Sequence, residues 1–451
     1  MASPTKIVDG IPVFEPDFET FKDFQGYLNK VKQYGMESGI IKIIPPKAWL
    51  DLIDELVDVG ADAEVKPLYS DEAKAECLSN IVIKNPIEQY INGSNNFYTA
   101  QNTEKLRSYN IIQWQLLSQE RYIPPRSSLS AKFEIPMIIT NNNGNKKSRR
   151  KKTEEYKIHD FMRFQDFLKE GTTSNNLDPG RLKFLEEYYW KTLHIPSNPL
   201  YGADILGSLF PKELDIFNIA KLPNILTEVI KQSIPGVNKS YLYAGLWRAS
   251  FPWHLEDQNL YSINYLHFGF PKQWYSIPQT AMKKFEEFMI DNFYDEFKNC
   301  NEFLRHKIFI CSPDLLKKNN IKLNKITHFA KEFIITFPYG YHSGFNYGFN
   351  VAESVNFALD DWLEIGKMAK RCLCVDDSVY IDIDELTENI KKKRENNPTA
   401  DDLTGKLECN QTMHIEKNAH HLDNKDTVQT PMSSYKREIN NKLLGNEYEY
   451  I

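Results

Sequence analysis

The sequence predicts an α+β protein in which β-strands form a sandwich or barrel inside a shell of helices. Strand-like apolar runs lie at residues 261–268, 307–311 and 332–337, and a helical pattern at 181–193 precedes them. Apolar residues make up 41% and aromatic residues 13% of the 451 residues, which is enough to bury a large core. We therefore expect one large unit with additions rather than several equal domains.

The N-terminal part of the chain alternates turn signals with apolar pattern. We predict a tail over residues 1–10 and a small unit of helix and strand over residues 11–52. Phenylalanines recur every three residues from Phe18 to Phe24, which is a helical spacing. The isoleucine-rich run at 39–44 ends at two prolines and predicts a strand.

The next segments differ in composition. We predict a connecting region of mixed helix and strand over residues 53–126 and a flexible insertion over residues 127–157. The insertion combines an Asn/Gly cluster with a basic run at 146–152, and it holds too little apolar surface to fold. The basic run is either a nuclear-import signal or a solvated loop. A helical region at 158–207 then leads into the core.

The aromatic-rich core spans residues 208–374, and the polar segment 375–451 predicts a largely disordered tail. With 55 basic and 61 acidic residues the net charge is −6, which excludes nucleic-acid binding through bulk positive charge. No apolar run is long enough to span a membrane, and residues 1–10 lack the core of a signal peptide. Six cysteines are too few for a disulfide framework and indicate a reducing compartment, where clustered cysteines more often bind metal.

A candidate metal site begins in the segment 253–257. Residues two apart on a strand point to one face, so His254 and Glu256 project together. They supply two ligands of the 2-His-1-carboxylate set that holds non-haem Fe(II), and His342 fits as the third because it follows a strand-like run and lies among glycines. Taken alone, His-x-Glu is more commonly a structural histidine beside a surface glutamate.

Two long segments resemble the halves of the iron-binding core of the JmjC histone lysine demethylases. They are WHLEDQNLYSINYLHFGFPKQWYSI at 253–277 and FPYGYHSGFNYGFNVAESVNF at 337–357. Residues 11–50 resemble the JmjN segment of the subfamily that acts on trimethyl-lysine, with its fungal (yeast) members as the nearest match. The resemblance covers most of residues 10–376. It implies a double-stranded β-helix, a jelly-roll or cupin-like JmjC barrel, with a helical surround and an N-terminal JmjN segment.

The resemblance implies an Fe(II)- and 2-oxoglutarate-dependent dioxygenase with dioxygen as co-substrate. Such an enzyme would demethylate tri- and dimethyl-lysine on the histone H3 tail, at lysine 36, lysine 9 or both, and would release formaldehyde and succinate. It would be a nuclear, monomeric protein that binds the methylated H3 tail or the nucleosome. The fungal relatives often carry C₂H₂ fingers, but no clear DNA-binding motif is present in this sequence, which is therefore either a fragment or a protein targeted differently.

The resemblance also implies residues that bind the cofactor. These are Tyr201, Phe251, Asn264, Lys272, Trp274 and Lys307. Lys272 and Tyr201 would bind the distal carboxylate of 2-oxoglutarate, and the two aromatic residues Phe251 and Trp274 would form walls of its pocket. Without the resemblance, a lysine after a Gly-Phe-Pro turn is typically solvent-exposed, and an aromatic residue more often belongs to the core.

A methyl-lysine pocket is implied as well, since a trimethylammonium group needs aromatic faces and oxygens that accept its polarised C–H groups. The implied pocket residues are Gly236, Tyr241, Tyr243, Glu256, Ser354, Val355 and Asn356, with Asp204 contacting the substrate peptide. Val355 replaces the family's small polar residue and leaves the preference between dimethyl- and trimethyl-lysine open. The alternative for Ser354 and Asn356 is helix capping or turn formation.

A second metal set would join Cys300 and His306 to Cys372 and Cys374. Three thiolates and an imidazole form the closed Cys₃His set of structural zinc, although a Cys-x-Cys pair alone is also typical of free cysteines. The resemblance favours zinc because the trimethyl-lysine subfamily carries a site of this composition and spacing. The ion would pin the segment after the barrel against the substrate groove.

Two other classes of function stay open. One is a catalytically inactive JmjC scaffold that binds chromatin, and the other is a JmjC hydroxylase that acts on protein or tRNA. The complete ligand set argues against the first. The JmjN-like segment and the zinc set argue against the second, because both belong to the demethylase branch.

Overall fold

The computed structural model describes most of the chain, namely residues 2–53, 71–125, 156–172, 178–374 and 379–396. The chain divides into two units, Met1–Ile390 and Lys391–Ile451, and of the second only residues 391–396 are described. The basic run at 146–152 lies outside the described residues, as do most of the predicted insertion and most of the predicted tail. The helices of the described part are each too short or too polar to span a lipid bilayer.

The secondary structure is mixed. The strands are β1 (Lys6–Val8), β2 (Ile11–Phe14), β3 (Ile40–Ile43), β4 (Val82–Ile83), β5 (Ile87–Ser94), β6 (Phe97–Glu104), β7 (Tyr109–Asn110), β8 (Leu200–Leu206), β9 (Tyr241–Gly245), β10 (Ser250–His254), β11 (Tyr261–Gly269), β12 (Lys272–Ser276), β13 (Phe309–Cys311), β14 (Asn324–His328), β15 (Phe333–Thr336), β16 (His342–Asn346) and β17 (Asn350–Phe357). The helices are α1 (Phe18–Lys22), α2 (Phe24–Ser38), α3 (Lys47–Ile53), α4 (Asp71–Ser79), α5 (Ile111–Glu120), α6 (Ile158–Thr172), α7 (Pro179–Thr192), α8 (Ile225–Val229), α9 (Gln279–Asn292), α10 (Tyr294–Asn299), α11 (Pro313–Lys318), α12 (Trp362–Met368) and α13 (Ile383–Asn396).

Two β-layers form the barrel, and their strands pair antiparallel except for the parallel pair β2 and β3. The larger sheet has eleven strands in the order β1-β2-β3-β15-β11-β17-β9-β8-β5-β6-β13, and the smaller has four in the order β10-β16-β12-β14. In the part formed by β15, β11, β17 and β9 and in the smaller sheet, neighbouring strands are not consecutive in sequence, as in a jelly roll. This arrangement confirms the predicted α+β fold with a cupin-like barrel and surrounding helices.

Strand β11 shows how the barrel positions a site. Its side chains alternate between the two faces of the sheet. Tyr261, Ile263 and Tyr265 are buried in an apolar core shared with the N-terminal unit. Ser262 and Asn264 point to the opposite face and line a cavity between the two sheets. Both faces are therefore covered, and the strand is almost continuously buried.

The N-terminal unit, here the small segment predicted over residues 11–52, extends the larger sheet. The predicted helical spacing of phenylalanines belongs to two helices, because Asp23 ends α1 and caps α2 through the amide of Gly26. Phe21 stacks on Phe217 at 3.8 Å between ring centroids. Strand β3 pairs with β15 in an antiparallel register, so the N-terminal unit is part of the barrel wall.

The C-terminal boundary differs from the sequence prediction. The segment 375–451 was expected to be largely disordered, yet residues 383–396 form α13. Ile383, Leu386 and Ile390 are buried in the same core as the N-terminal unit. Their spacing of three and four residues gives the helix an apolar stripe, which outweighs its otherwise polar composition.

Candidate metal and cofactor site

The three predicted iron ligands meet between the two sheets. His254 ends β10 and His342 begins the neighbouring β16, with the two residues paired across the strands. Glu256 lies just beyond β10, where its extended backbone (φ −65°, ψ 150°) keeps it on the side of His254. One ligand atom from each residue lies within 4.8 Å of the others, close enough to share an ion.

The two histidines are set in the tautomer that binds metal. Nδ1 of His254 lies 2.7 Å from the carbonyl oxygen of Pro252, and Nδ1 of His342 lies 3.0 Å from that of Gly340. Each Nδ1–H donates to its carbonyl and leaves the Nε2 lone pair free for a metal. Burial lowers the pKa of both rings, that of His254 well below its usual value, so both are neutral.

Glu256 is held as a carboxylate. Burial raises its pKa, but nearby positive charge, from His342 when that ring is protonated and from Lys307, together with hydrogen bonds from Asn356 and Ser262, keeps the pKa below its usual value. The Asn356 amide donates to Oε2 at 3.0 Å. Asn356, expected in the methyl-lysine pocket, thus also orients a predicted iron ligand. Ser262 was not singled out from the sequence, although it lies two residues before Asn264 on the same strand face.

A cavity of about 560 Å³ contains this centre. The larger sheet contributes Tyr201, Tyr243, Asn264, Ser354 and Asn356, and the smaller contributes Phe251, Lys272 and Trp274. Lys307 also lines the cavity but is exposed at its edge. The six residues predicted for the cofactor therefore share one space with the metal set.

Lys272 is buried, with 1% of its surface exposed. Its Nζ donates to Oδ1 of Asn346 at 2.7 Å and lies 5.6 Å from the ring centroid of Tyr201. Burial lowers its pKa to about 7, and no carboxylate pairs with it in the described part of the chain. The expectation of an exposed lysine is therefore wrong, and a buried cation without a counter-ion fits an anionic ligand. Asn264 Oδ1, buried nearby, likewise has no partner among the described residues.

The two aromatic walls have a structural role as well. The rings of Phe251 and Trp274 lie 4.7 Å apart, and Trp274 lies 5.7 Å from His342. Trp274 also belongs to a small apolar core that includes Ile326 and Ile334. Both aromatic residues therefore line the cavity and pack in a core, while their contact with a cofactor stays a prediction.

Aromatic rings line the open side of the cavity. The ring of Tyr243 lies 6.4 Å from that of Tyr241 and 6.1 Å from that of Tyr201. The Tyr243 hydroxyl donates to Asp204 at 3.0 Å, and burial raises its pKa, so the hydroxyl stays protonated. Gly236 has φ +78°, and an added Cβ would lie 2.8 Å from the Tyr241 ring. This glycine lets the chain approach the ring closely.

Val355 is the predicted pocket residue that does not line the cavity. It lies on β17 between Ser354 and Asn356, so strand alternation turns it to the opposite face. There it pairs with Ile263 and is buried in the core shared with the N-terminal unit. Because Ser354 and Asn356 lie within the strand, the alternative of helix capping is wrong for them.

The second metal set is also assembled. One ligand atom each from Cys300, His306, Cys372 and Cys374 lies within 4.8 Å of the others. The sulfurs of Cys300 and Cys372 are 3.7 Å apart, the edge expected of a tetrahedron with metal–sulfur bonds of about 2.3 Å. Nε2 of His306 lies 3.2 Å from the sulfur of Cys372. Burial and the neighbouring thiols raise the pKa of Cys300 to about 12, so a cation is needed to hold this sulfur as a thiolate.

Comparison with known proteins now adds to this geometry. Residues 241–357 match the family model described as JmjC domain, hydroxylase, and residues 12–45 match the jmjN domain. The chain therefore contains one segment similar to each of these two domains. The JmjC match runs from β9 to β17, and the jmjN match covers the N-terminal unit.

Named relatives share most of the chain. It is 36% identical to lysine-specific demethylase 4B of Mus musculus over 389 residues. This aligned length is 85% of this chain and 29% of the relative. It is 34% identical to probable lysine-specific demethylase 4F of Homo sapiens and 33% identical to lysine-specific demethylase 4D of Rattus norvegicus, again over 85% of this chain, covering 49% and 62% of those proteins. The chain thus spans less than two thirds of each.

Proposed function

We propose that this protein is an Fe(II)- and 2-oxoglutarate-dependent oxidative demethylase of tri- and dimethyl-lysine on the histone H3 tail, at lysine 36, lysine 9 or both. One observation carries the proposal. The ligand set of His254, Glu256 and His342 shares a cavity with the buried ammonium of Lys272, which has no acidic partner among the described residues. The names of the relatives support the same activity.

The residues fit an iron ion. Two neutral imidazoles and one carboxylate would hold Fe(II) and leave open positions, as in non-haem oxygenases. With 2-oxoglutarate and dioxygen, a bound iron ion would supply the oxidant for hydroxylation of an N-methyl group, which would then leave as formaldehyde, with succinate and carbon dioxide as co-products. The carbonyls of Pro252 and Gly340 fix the two rings, and Asn356 and Ser262 fix the carboxylate.

The residues also fit a dicarboxylate. Lys272 and the Tyr201 hydroxyl would bind its distal carboxylate, because this end of the cavity holds a cation with no acidic partner among the described residues. Phe251 and Trp274 would exclude water from the ligand, and Asn264 and Lys307 would border it.

A methylated lysine would enter from the aromatic side. Tyr241 and Tyr243 would present ring faces and Ser354 and Asn356 would present oxygens to the methyl groups. Asp204 would contact the peptide, and a basic tail is attracted by carboxylates at the mouth. Since Val355 faces the core, the choice between di- and trimethyl-lysine would rest on the residues that line the cavity.

The remaining assignments are parts of the same proposal. Zinc held by Cys300, His306, Cys372 and Cys374 would fasten the segment after the barrel. A nuclear location, a monomeric state and a nearest likeness to fungal members stay predictions.

The direct test is a panel of methylated H3 peptides. With Fe(II), 2-oxoglutarate and air, peptides trimethylated at lysine 36 or lysine 9 should release formaldehyde, and a His342→Ala variant should not. Loss of about 14 Da per methyl group supports demethylation, whereas a gain of about 16 Da would indicate a hydroxylase. No product from any peptide, with iron bound, would favour the inactive scaffold.

A further inference from the structure

The turn after the iron ligand Glu256 has unusual backbone. Gln258 and Asn259 both adopt left-handed conformations, with φ 47° and 52°. Non-glycine residues rarely adopt this conformation, and two in succession persist only where surrounding groups hold them. The position of Glu256 therefore depends on the side chains that hold this turn by hydrogen bonds.

Arg305 grips the turn from one side. Its Nη1 donates to the carbonyl oxygen of Glu256 at 2.7 Å, and its Nη2 donates to Oδ1 of Asn259 at 2.9 Å. Its Nε donates to Glu302 at 2.8 Å, which orients the guanidinium, and only 6% of the side chain is exposed. A planar guanidinium with three occupied nitrogens fixes both ends of the turn at once.

Arg305 is also tied to the zinc set. It immediately precedes His306, and both belong to one short 3₁₀ helix, Phe303–His306. The ring of His306 lies 3.2 Å from the sulfur of Cys372. One rigid turn therefore carries a ligand of the second metal set and the side chain that grips the ligand loop of the first.

We propose that Arg305 is a positioning residue that couples the two metal sets. A metal on the Cys₃His set fixes His306 and hence Arg305, and Arg305 then holds Glu256 in place for the iron set. By linkage, metal binding at either set raises the metal affinity of the other. The proposal rests on the metal sites named under the proposed function, but it concerns metal affinity and not demethylation.

Gln258 provides a built-in contrast. Its side chain holds the same turn from the opposite side, donating to the carbonyl oxygen of Ile381 at 3.1 Å and accepting from the Ile381 amide at 2.6 Å. This contact does not involve the zinc set. Removing this contact should weaken metal binding at the iron set without changing how far that binding depends on zinc at the second set.

A thermodynamic cycle tests the proposal. Mn(II) prefers nitrogen and oxygen ligands over thiolates, so it reports on the iron set. Wild type, Cys374→Ala, Arg305→Met and the double variant are titrated with Mn(II), with free Mn(II) followed by electron paramagnetic resonance and zinc content by mass spectrometry. Cys374→Ala should lose zinc and bind Mn(II) roughly tenfold more weakly. Arg305→Met should keep its zinc, bind Mn(II) about as weakly, and show no further loss in the double variant.

Three controls make the result specific. Arg371→Met removes an exposed arginine beside the zinc set whose contact is the Tyr380 ring, and it should leave Mn(II) affinity unchanged. Gln258→Ala should weaken Mn(II) binding yet keep its full response to zinc loss. Arg305→Lys keeps the charge but reaches only one acceptor, so its Mn(II) affinity should be intermediate, and it replaces Arg305→Met if that variant does not fold.

Two results would overturn the coupling. One is unchanged Mn(II) affinity in Arg305→Met, and the other is an additive loss in the double variant. If the cycle shows coupling while no peptide is demethylated, the proposed function fails and the inference stands.

Discussion

The two metal sets are built in different ways. The predicted iron ligands lie on or beside strands of the barrel. Each makes its own orienting hydrogen bond: the two histidines donate to backbone carbonyls, and Glu256 accepts from Asn356. The ligands of the zinc set come from a short 3₁₀ helix and loops outside the strands, and their short contacts are mainly with one another, as between Cys300 and Cys372. The iron set is therefore preorganised by the fold, whereas the zinc set needs its ion to hold two loops together.

The largest expected effect is a loss of activity, with little loss of stability, when one ligand of the iron set is removed. His342→Ala should reduce demethylation to background, because two ligands do not hold Fe(II) in the open geometry. The free energy of unfolding should change by only about 1–2 kcal/mol, since the ring is one buried side chain in an intact barrel. Product analysis and urea unfolding of the same preparation measure both quantities.

At the zinc set, removal of one ligand should instead have a large effect on stability. Cys372→Ser should lower the free energy of unfolding by roughly 3 kcal/mol or more, because the ion that joins the two loops is lost. Cys77→Ser alters a half-buried cysteine outside the set and serves as the matched control. Equal and small changes in the two variants would mean that the loops hold together without metal.

Lys272 sharpens the comparison, because it binds a ligand without being a metal ligand. Lys272→Met should weaken 2-oxoglutarate binding about a hundredfold, the loss expected when one partner of a buried ion pair is removed. Calorimetry with Mn(II) in place of iron measures the affinity. A loss below threefold would place the distal carboxylate elsewhere.

The pH dependence of that binding follows from the pKa of Lys272, about 7 in the free protein. A bound carboxylate favours the charged ammonium and raises this pKa. Below pH 7 the ammonium is already charged and affinity is constant. Above pH 7 binding must take up a proton, so affinity should fall about tenfold per pH unit. Titration in two buffers of different ionisation enthalpy counts the protons, and Lys272→Arg, which stays charged, should lose this dependence.

The smallest effect concerns Val355. Because it faces the core shared with the N-terminal unit, Val355→Thr should cost about 1–2 kcal/mol of stability through a buried hydroxyl. The ratio of rates on trimethylated and dimethylated peptides should change less than twofold. Ser354→Ala alters a neighbour that does line the cavity, and a larger effect of Val355→Thr than of Ser354→Ala on that ratio would contradict the structure.

The sequence predicted what depends on local pattern and on long motifs. His254 and Glu256 followed from strand period and His342 from the strand-like run and the glycines around it, whereas the resemblance was needed to favour zinc at the second set. Ser262 and Arg305 were missed, because their contacts with Glu256 join segments that only the fold brings together. Val355 was wrongly assigned to the methyl-lysine pocket, although strand alternation predicts that its side chain points away from the cavity. Helix α13 was missed because its polar composition hid its apolar stripe.

The most direct test of the central claim is mass spectrometry of an H3 peptide trimethylated at lysine 36 or lysine 9. The wild-type protein with Fe(II) and 2-oxoglutarate should remove methyl groups, and His342→Ala with an intact fold should remove none. Demethylation by His342→Ala at the wild-type rate, or none by wild-type protein with a loaded iron set, would contradict it.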